Sequence, residues 1–252
     1  MILKEIINII EENYPKTLAY SWDNVGLLAG NIEKEIKKVL LTLDVTPDVV
    51  DEAIDLGVDL ILSHHPLIFE GVKSFEESSA KVNMYVKIIR NNLAVYSAHT
   101  NMDTAENGIN QRLAEVLGLE NIEVLEEETG LGRIGEIKKT SLFEFAKLVK
   151  TKLNTPMVRV SGGSDSEVLK VAVGSGACSD LYPLAISKDA DVLVTADLKY
   201  HIAQDAHFDG ISIIDAGHYP TEIIAMDMFS DLLKDTGLQL FKSKSRDIFS
   251  YI

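Results

Sequence analysis

Cysteine is nearly absent from this 252-residue chain: Cys178 stands alone, so no intramolecular disulfide can form, which suits a reducing compartment. Proline is scarce (6 residues) and charged residues make up 25% against 46% hydrophobic, so no long disordered segment is indicated. Positive charge is also short, with 24 Lys and Arg against 39 Asp and Glu. The net charge of −15 argues against a general electrostatic footprint for nucleic acid and leaves only a local basic patch as a route to one. No apolar run approaches the ~18 residues needed to span a bilayer. The opening Met1-Ile2-Leu3-Lys4-Glu5 lacks the charged, apolar and small regions of a signal peptide. The expectation is a cytoplasmic protein without a membrane partner, of a length that allows one large domain or two ordinary ones.

What is present is an alternation of strand and helix patterns. Apolar residues from Leu3 to Tyr14 recur at helical spacing before Pro15, which predicts an amphipathic helix. Ser21-Trp22-Asp23-Asn24 reads as a turn capped by Asp23 and Asn24, its tryptophan either a plug over the core or a pocket wall. Lys37–Val45 is a buried strand; Thr46-Pro47 then opens a helix that Gly57 ends, by capping and by the fit of proline to the first turn. Asp59-Leu60-Ile61-Leu62-Ser63-His64-His65-Pro66 is an apolar run that stops at two histidines, a second buried strand. Strand, helix and strand within about 30 residues signal a parallel crossover unit. A loop over 70–79 leads to a helix through Ile89, then a strand from Leu93 to Ala98 and a helix capped by Thr104 or Asn107 that ends at Gly118. The acidic, then glycine-punctuated stretch 121–140 is the expected domain boundary, giving domains over 1–125 and 126–252. Beyond it the pattern restarts: a helix over 141–153, strands near 157–160, 169–173, 192–195 and 211–214, helices near 182–187, 199–206 and 220–233, and a last strand over 238–241. The final helix is free to pack back on the first domain. The expected class is α/β, with two α/β domains and mostly parallel sheets.

Three strand ends carry ligand-type side chains: His64 and His65; His99 and Asp103; His218 and Glu222. In open α/β sheets that edge is where ligands bind. Neutral imidazoles suit divalent transition metals. In Gly217-His218-Tyr219-Pro220-Thr221-Glu222 the i, i+4 spacing puts imidazole and carboxylate on one helix face. Taken singly, each has a plainer use: a hydrogen-bonded turn for the His-His pair, a cap for Asp103, a dipole-answering acid for Glu222. Taken together, three of these histidines and the two carboxylates already exceed what one zinc requires. They fit two ions about 3.5–4 Å apart, between which a water is acidified.

SWDNVGLLAG, LTLDVTPDVVDEA, LILSHHPLIF, SAHTNMDTAENGIN, VTADLKYH and DAGHYPTE together resemble the motifs of the YbgI-type (NIF-three-like) dinuclear-metal proteins, many of which carry the label GTP cyclohydrolase I type 2-like. The resemblance spans Trp22 to Glu222. It implies metal ligands at His64, His65, Asp103, His218 and Glu222, two divalent ions per chain (zinc, iron or manganese), and two α/β domains with the metals in the cleft between them. It also implies a ring-shaped homohexamer. The long inserted domain of some members is missing here.

Secondary candidates surround this set. His99 reads as an orienting or acid/base group, or as a core histidine, and Asp44 as the orienter of a histidine. Asp197 and His201, four apart, read as acid/base or substrate contacts or as a surface pair. Gly174-Ser175-Gly176 offers amides to a phosphate or simply makes a tight turn. Cys178 reads as buried and inert, and Lys73, Arg133, Arg159 and Lys199 are the cations available to a triphosphate. Two functions compete on these residues. One is a metal-dependent hydrolase of a nucleotide-like or phosphorylated small molecule, cyclohydrolase-like or phosphoesterase-like. The other is a non-enzymatic protein that stores, delivers or senses metal.

Overall fold

The computed structural model describes residues 1–76 and 79–252, so Glu77 and Ser78 of the loop expected over 70–79 lie outside the described residues. In chain order the elements begin with α1 (Leu3–Asn13), β1 (Gly26–Ala29), β2 (Lys38–Thr42), α2 (Pro47–Leu56), β3 (Leu60–Ser63), α3 (Ala80–Arg90) and β4 (Ala94–Ser97). Then follow α4 (Thr100–Thr104), α5 (Ile109–Leu117), β5 (Glu120–Val124), β6 (Arg133–Ser141), α6 (Leu142–Lys152), β7 (Arg159–Ser161) and β8 (Glu167–Val173). The chain closes with α7 (Tyr182–Ser187), β9 (Val192–Thr195), α8 (Tyr200–Asp209), β10 (Ser212–Asp215), α9 (His218–Glu222), α10 (Ala225–Leu233) and β11 (Gln239–Lys242).

The chain divides into two units, 1–102 with 225–246, and 103–224 with 247–252. The first holds a five-stranded sheet of order β1-β4-β3-β2-β11, parallel throughout except for β1 against β4. Helix α2 starts where the Thr46 side chain accepts from Val49 N, has proline in its first turn, and ends at Gly57 in the left-handed region (φ 60°). That conformation favours glycine at a helix C-terminus. Val49, Val50 and Ala53 of α2 and Met84, Tyr85 and Ile88 of α3 pack with Leu40, Ile61 and Val95 of the strands. Helix α10 and strand β11 return to this unit, β11 pairing in parallel with β2.

The second unit holds a six-stranded sheet of order β5-β6-β8-β9-β10-β7, with β8, β9 and β10 parallel and the flanking pairs antiparallel. Its central strands β9 and β10, with the end of β8, are buried on both faces, because successive side chains point to opposite sides of a sheet. Val171, Val173, Val192, Val194 and Ile214 pack with Phe145 and Val149 of α6. Their neighbours Ala172, Leu193 and Ile213 pack with Ala185 of α7 and Ala206 of α8. Helices thus cover both faces of a central sheet, the layered arrangement that buries a parallel core.

Three features depart from the sequence reading. Residues 121–140, the expected boundary, supply most of the β5–β6 hairpin of the second unit, and the division falls instead between Met102 and Asp103. Helix α5 is capped by Gly108 rather than by Thr104 or Asn107, and the one-turn helix α4 precedes it. The helix expected over 220–233 is two helices, α9 ending at Glu222 and α10 starting at Ala225.

Candidate metal centre

Strand register builds the first half of the candidate site. Thr42 pairs with Ser63 and Ser63 with Ser97, so β2, β3 and β4 end level and residues 43–44, 64–65 and 98–99 emerge side by side. The ladder continues past the strand ends, His64 N donating to Thr42 O and His65 N to Leu43 O. The Ser63 hydroxyl donates to His65 O and bonds Ser97 Oγ at 2.8 Å. Edge strand β1 pairs Gly26 with Ser97, which brings the preceding turn against His99 and Thr100.

His64, His65 and His99 then form a group whose ring nitrogens lie within 4.8 Å of one another, with ring centroids 5.1–5.5 Å apart. His64 is fully buried. In each ring Nδ1 has an oxygen acceptor. His64 Nδ1 donates to Ala98 O (2.8 Å), His65 Nδ1 to Asp44 Oδ1 (2.7 Å), and His99 Nδ1 to both oxygens of Asp23 (3.0 Å). This places the lone pair on Nε2, the arrangement that fixes tautomer and orientation in metal-ligating histidines. Asp23 also accepts from Thr100 N and Thr100 Oγ1. Burial alone would raise its carboxyl, but the hydrogen bonds from His99 and Thr100 outweigh burial and hold it at about 2.

The second unit repeats the device. Val173 pairs with Val194 and Thr195 with Asp215, so the segments after β8, β9 and β10 emerge together. They carry Gly174–Cys178, Asp197 and Gly217–Glu222. Gly217 adopts φ 85° and starts α9, its N–H donating to Asp215 Oδ1. His218 Nδ1 donates to Asp197 Oδ2 (2.8 Å), while Nε2 lies 2.8 Å from Oε2 of the buried Glu222, one helical turn on. Thr221 Oγ1 accepts from Gly176 N. Asn110 ties Asp103 to the same corner, donating to Asp103 O and accepting from Ser175 N. Burial first, then the charges of Asp103 and Glu222, push the Cys178 thiol well above its ordinary range, so it stays a protonated thiol at neutral pH.

Of the remaining sequence candidates, Asp197 joins the site and the others fall elsewhere. Asp197 holds His218, whereas His201 is exposed on α8 with its ring against Tyr200. The amides of Ser175, Gly176 and Cys178 donate to the side chains of Asn110, Thr221 and Thr195, so the turn after β8 is tied to neighbouring elements and is no phosphate cradle. Arg133 is buried and donates to Ala105 O, Glu106 O, Gly130 O and Gly132 O; it staples loops of the second unit. Arg159 pairs with Asp215. Trp22 is 63% exposed, which rules out a core plug. Asp23 was legible only as a turn cap, although it stands beside that tryptophan within a family-type motif.

The fold and donor sets define an α/β protein of two units with histidine and carboxylate clusters that could hold metal ions. A family model for Duf34/NIF3 (NGG1p interacting factor 3) matches residues 1–247, and the chain belongs to this family. The resemblance carried by the six sequence motifs is thereby borne out. A "GTP cyclohydrolase 1 type 2 homolog" of Clostridium perfringens is 34% identical over 262 aligned positions, covering 100% of both chains. Among solved structures, a Bacillus cereus protein related to NIF3 superposes with a TM-score of 0.93 at 28% identity, covering 100% of this chain and 99% of that one. Reduced HcgD from Methanocaldococcus jannaschii gives 0.86 at 35% identity, covering 97% and 98%. Among the described residues no helix is long and apolar enough to cross a membrane.

Proposed function

We propose that His64, His65, Asp103, His218 and Glu222 hold two divalent metal ions and that the protein is a hydrolase of a nucleotide-like or phosphorylated small molecule. One observation carries this reading: each of His64, His65, His99 and His218 donates from Nδ1 to a fixed oxygen, so that every ring presents Nε2, for metal binding at His64, His65 and His218 and for proton transfer at His99. Four rings oriented alike, two of them by aspartates on neighbouring strand-end loops, go beyond what packing requires. The buried Glu222 adds a carboxylate that burial penalises unless it is paired.

Imidazole and carboxylate together accept zinc, iron or manganese. Ions held there supply an acidified water and stabilise negative charge that develops on a substrate. Around them, Asp44 and Asp197 keep their histidines in the ligating tautomer, and Asp23 fixes His99 where it can pass a proton to or from a reacting group. The name borne by the Clostridium perfringens relative favours carbon–nitrogen ring hydrolysis over phosphoester cleavage. The test is turnover: metal-loaded protein incubated with GTP and with simple phosphoesters, scored for formate and phosphate. Release that disappears in His65→Ala supports the hydrolase. Full metal loading with no release from any of them supports the storage or sensing role instead.

A further inference from the structure

Two large aromatic side chains beside the histidine group are exposed, Trp22 at 63% and Phe69 at 51%. Neither is a loose surface residue. Trp22 precedes Asp23, whose carboxylate accepts from His99 and Thr100. Asn24 Nδ2 donates to Ile68 O at 2.6 Å, tying the tryptophan turn to the segment that carries Phe69. Both rings stand edge-on to His99, Trp22 with centroids 6.2 Å apart and Phe69 at 5.6 Å. Tyr20 stacks on the indole at 5.8 Å and supports it. Leaving two such rings in water on a rigid frame forgoes burial that the fold could otherwise use. The groups that hold this corner, Asp23, Asn24, His99 and Thr100, include no lysine or arginine, so the chemistry on offer is a π-face rather than a phosphate grip.

We infer that Trp22 and Phe69 form a stacking wall that seats a planar, nucleobase-type heteroaromatic ring of the substrate beside His99. The inference deepens the hydrolase reading and rests on it for the identity of the reacting centre. Aromatic walls take nucleobases tolerantly, because every base has a π-face, and removing one such wall weakens binding by about tenfold. The site would therefore select for a flat ring first and leave the sugar or phosphate to other groups.

Trp22 is the only tryptophan in the chain, so intrinsic fluorescence reports on this position directly. Guanosine 5′-monophosphate and ribose 5-phosphate are titrated into the intact protein with excitation on the red edge of the indole band. Metal content is measured on the same samples, and dialysis binding is run on Trp22→Leu and Phe69→Leu. The expected result is saturable quenching by the nucleotide and none by the sugar phosphate, with affinity about tenfold weaker in Trp22→Leu at unchanged metal content. The absence of saturable quenching by the nucleotide, or equal nucleotide affinity in wild type and Trp22→Leu, would overturn the inference. Quenching in a protein that binds no metal would keep the stacking wall and remove the hydrolase reading instead.

Discussion

Gly176 presses its backbone against Glu222: a Cβ at that position would lie 2.0 Å from Glu222 Oε1 and 3.3 Å from His218 Cε1. The glycine also sits at φ 59°, where side chains are strained. The turn after β8 thus serves as a backstop for the carboxylate, and its amide is fixed by Thr221 from the same helix turn as Glu222.

Gly176→Ala is expected to displace Glu222 while the strands on either side persist. Metal affinity should fall by about 10–100-fold, the usual cost of disturbing a ligand's support, with a stability loss of about 1–3 kcal/mol from the strained backbone. Competition against a chromophoric chelator measures the first, and urea unfolding the second.

The orienting aspartates make a paired prediction. Asp44→Asn and Asp197→Asn replace the acceptors of His65 and His218 with amides that bind either tautomer. Each should weaken metal binding by about 10–100-fold and leave stability within about 1 kcal/mol, because both carboxylates are half exposed. Elemental analysis after dialysis against a weak chelator would show it. Unchanged metal retention in both variants would mean that these carboxylates do not orient ligands.

Asp23 supplies a pH dependence in the metal-free protein. Its carboxyl is held at about 2, against 3.8 for the free side chain, with burial opposing and the hydrogen bonds from His99 and Thr100 prevailing. A depressed folded value means stability that is fully present above pH 3.8 and is lost as pH falls through about 2. The shift corresponds to about 2 kcal/mol. Urea midpoints of wild type and Asp23→Ala should therefore differ by a constant amount from pH 7 to about 4 and converge towards pH 2. A gap that stays constant down to pH 2 would contradict the assignment.

Much of this architecture is legible in the amino-acid sequence. Strands β2 and β3 declared themselves as unbroken apolar runs, and Thr46-Pro47 and Gly57 bracketed α2 where the structure has it. The β5–β6 hairpin was hidden because β5 is largely exposed and glutamate-bearing, so its polarity imitates a linker. Nothing local in Gln239–Lys242 tells that it joins the first sheet; that choice is made by packing across more than 200 residues of chain, as in Ser243 Oγ donating to Thr42 Oγ1. In the candidate site, Asp44 was readable as a histidine orienter from its place at a strand end. Asp23 and Asp197 were not: Asp23 lies in the turn before edge strand β1, 76 residues from His99, and Asp197 stands four residues from His201, a spacing that suggested the wrong histidine partner.

The most direct test of the central claim is the number of metal ions per chain in protein purified without added metal, for wild type and Glu222→Ala. Two ions per wild-type chain, with at least one lost in a variant that remains folded, is the predicted result. Wild-type protein that binds no divalent metal even after reconstitution would contradict the account, and the oriented histidines would then be part of the architecture alone.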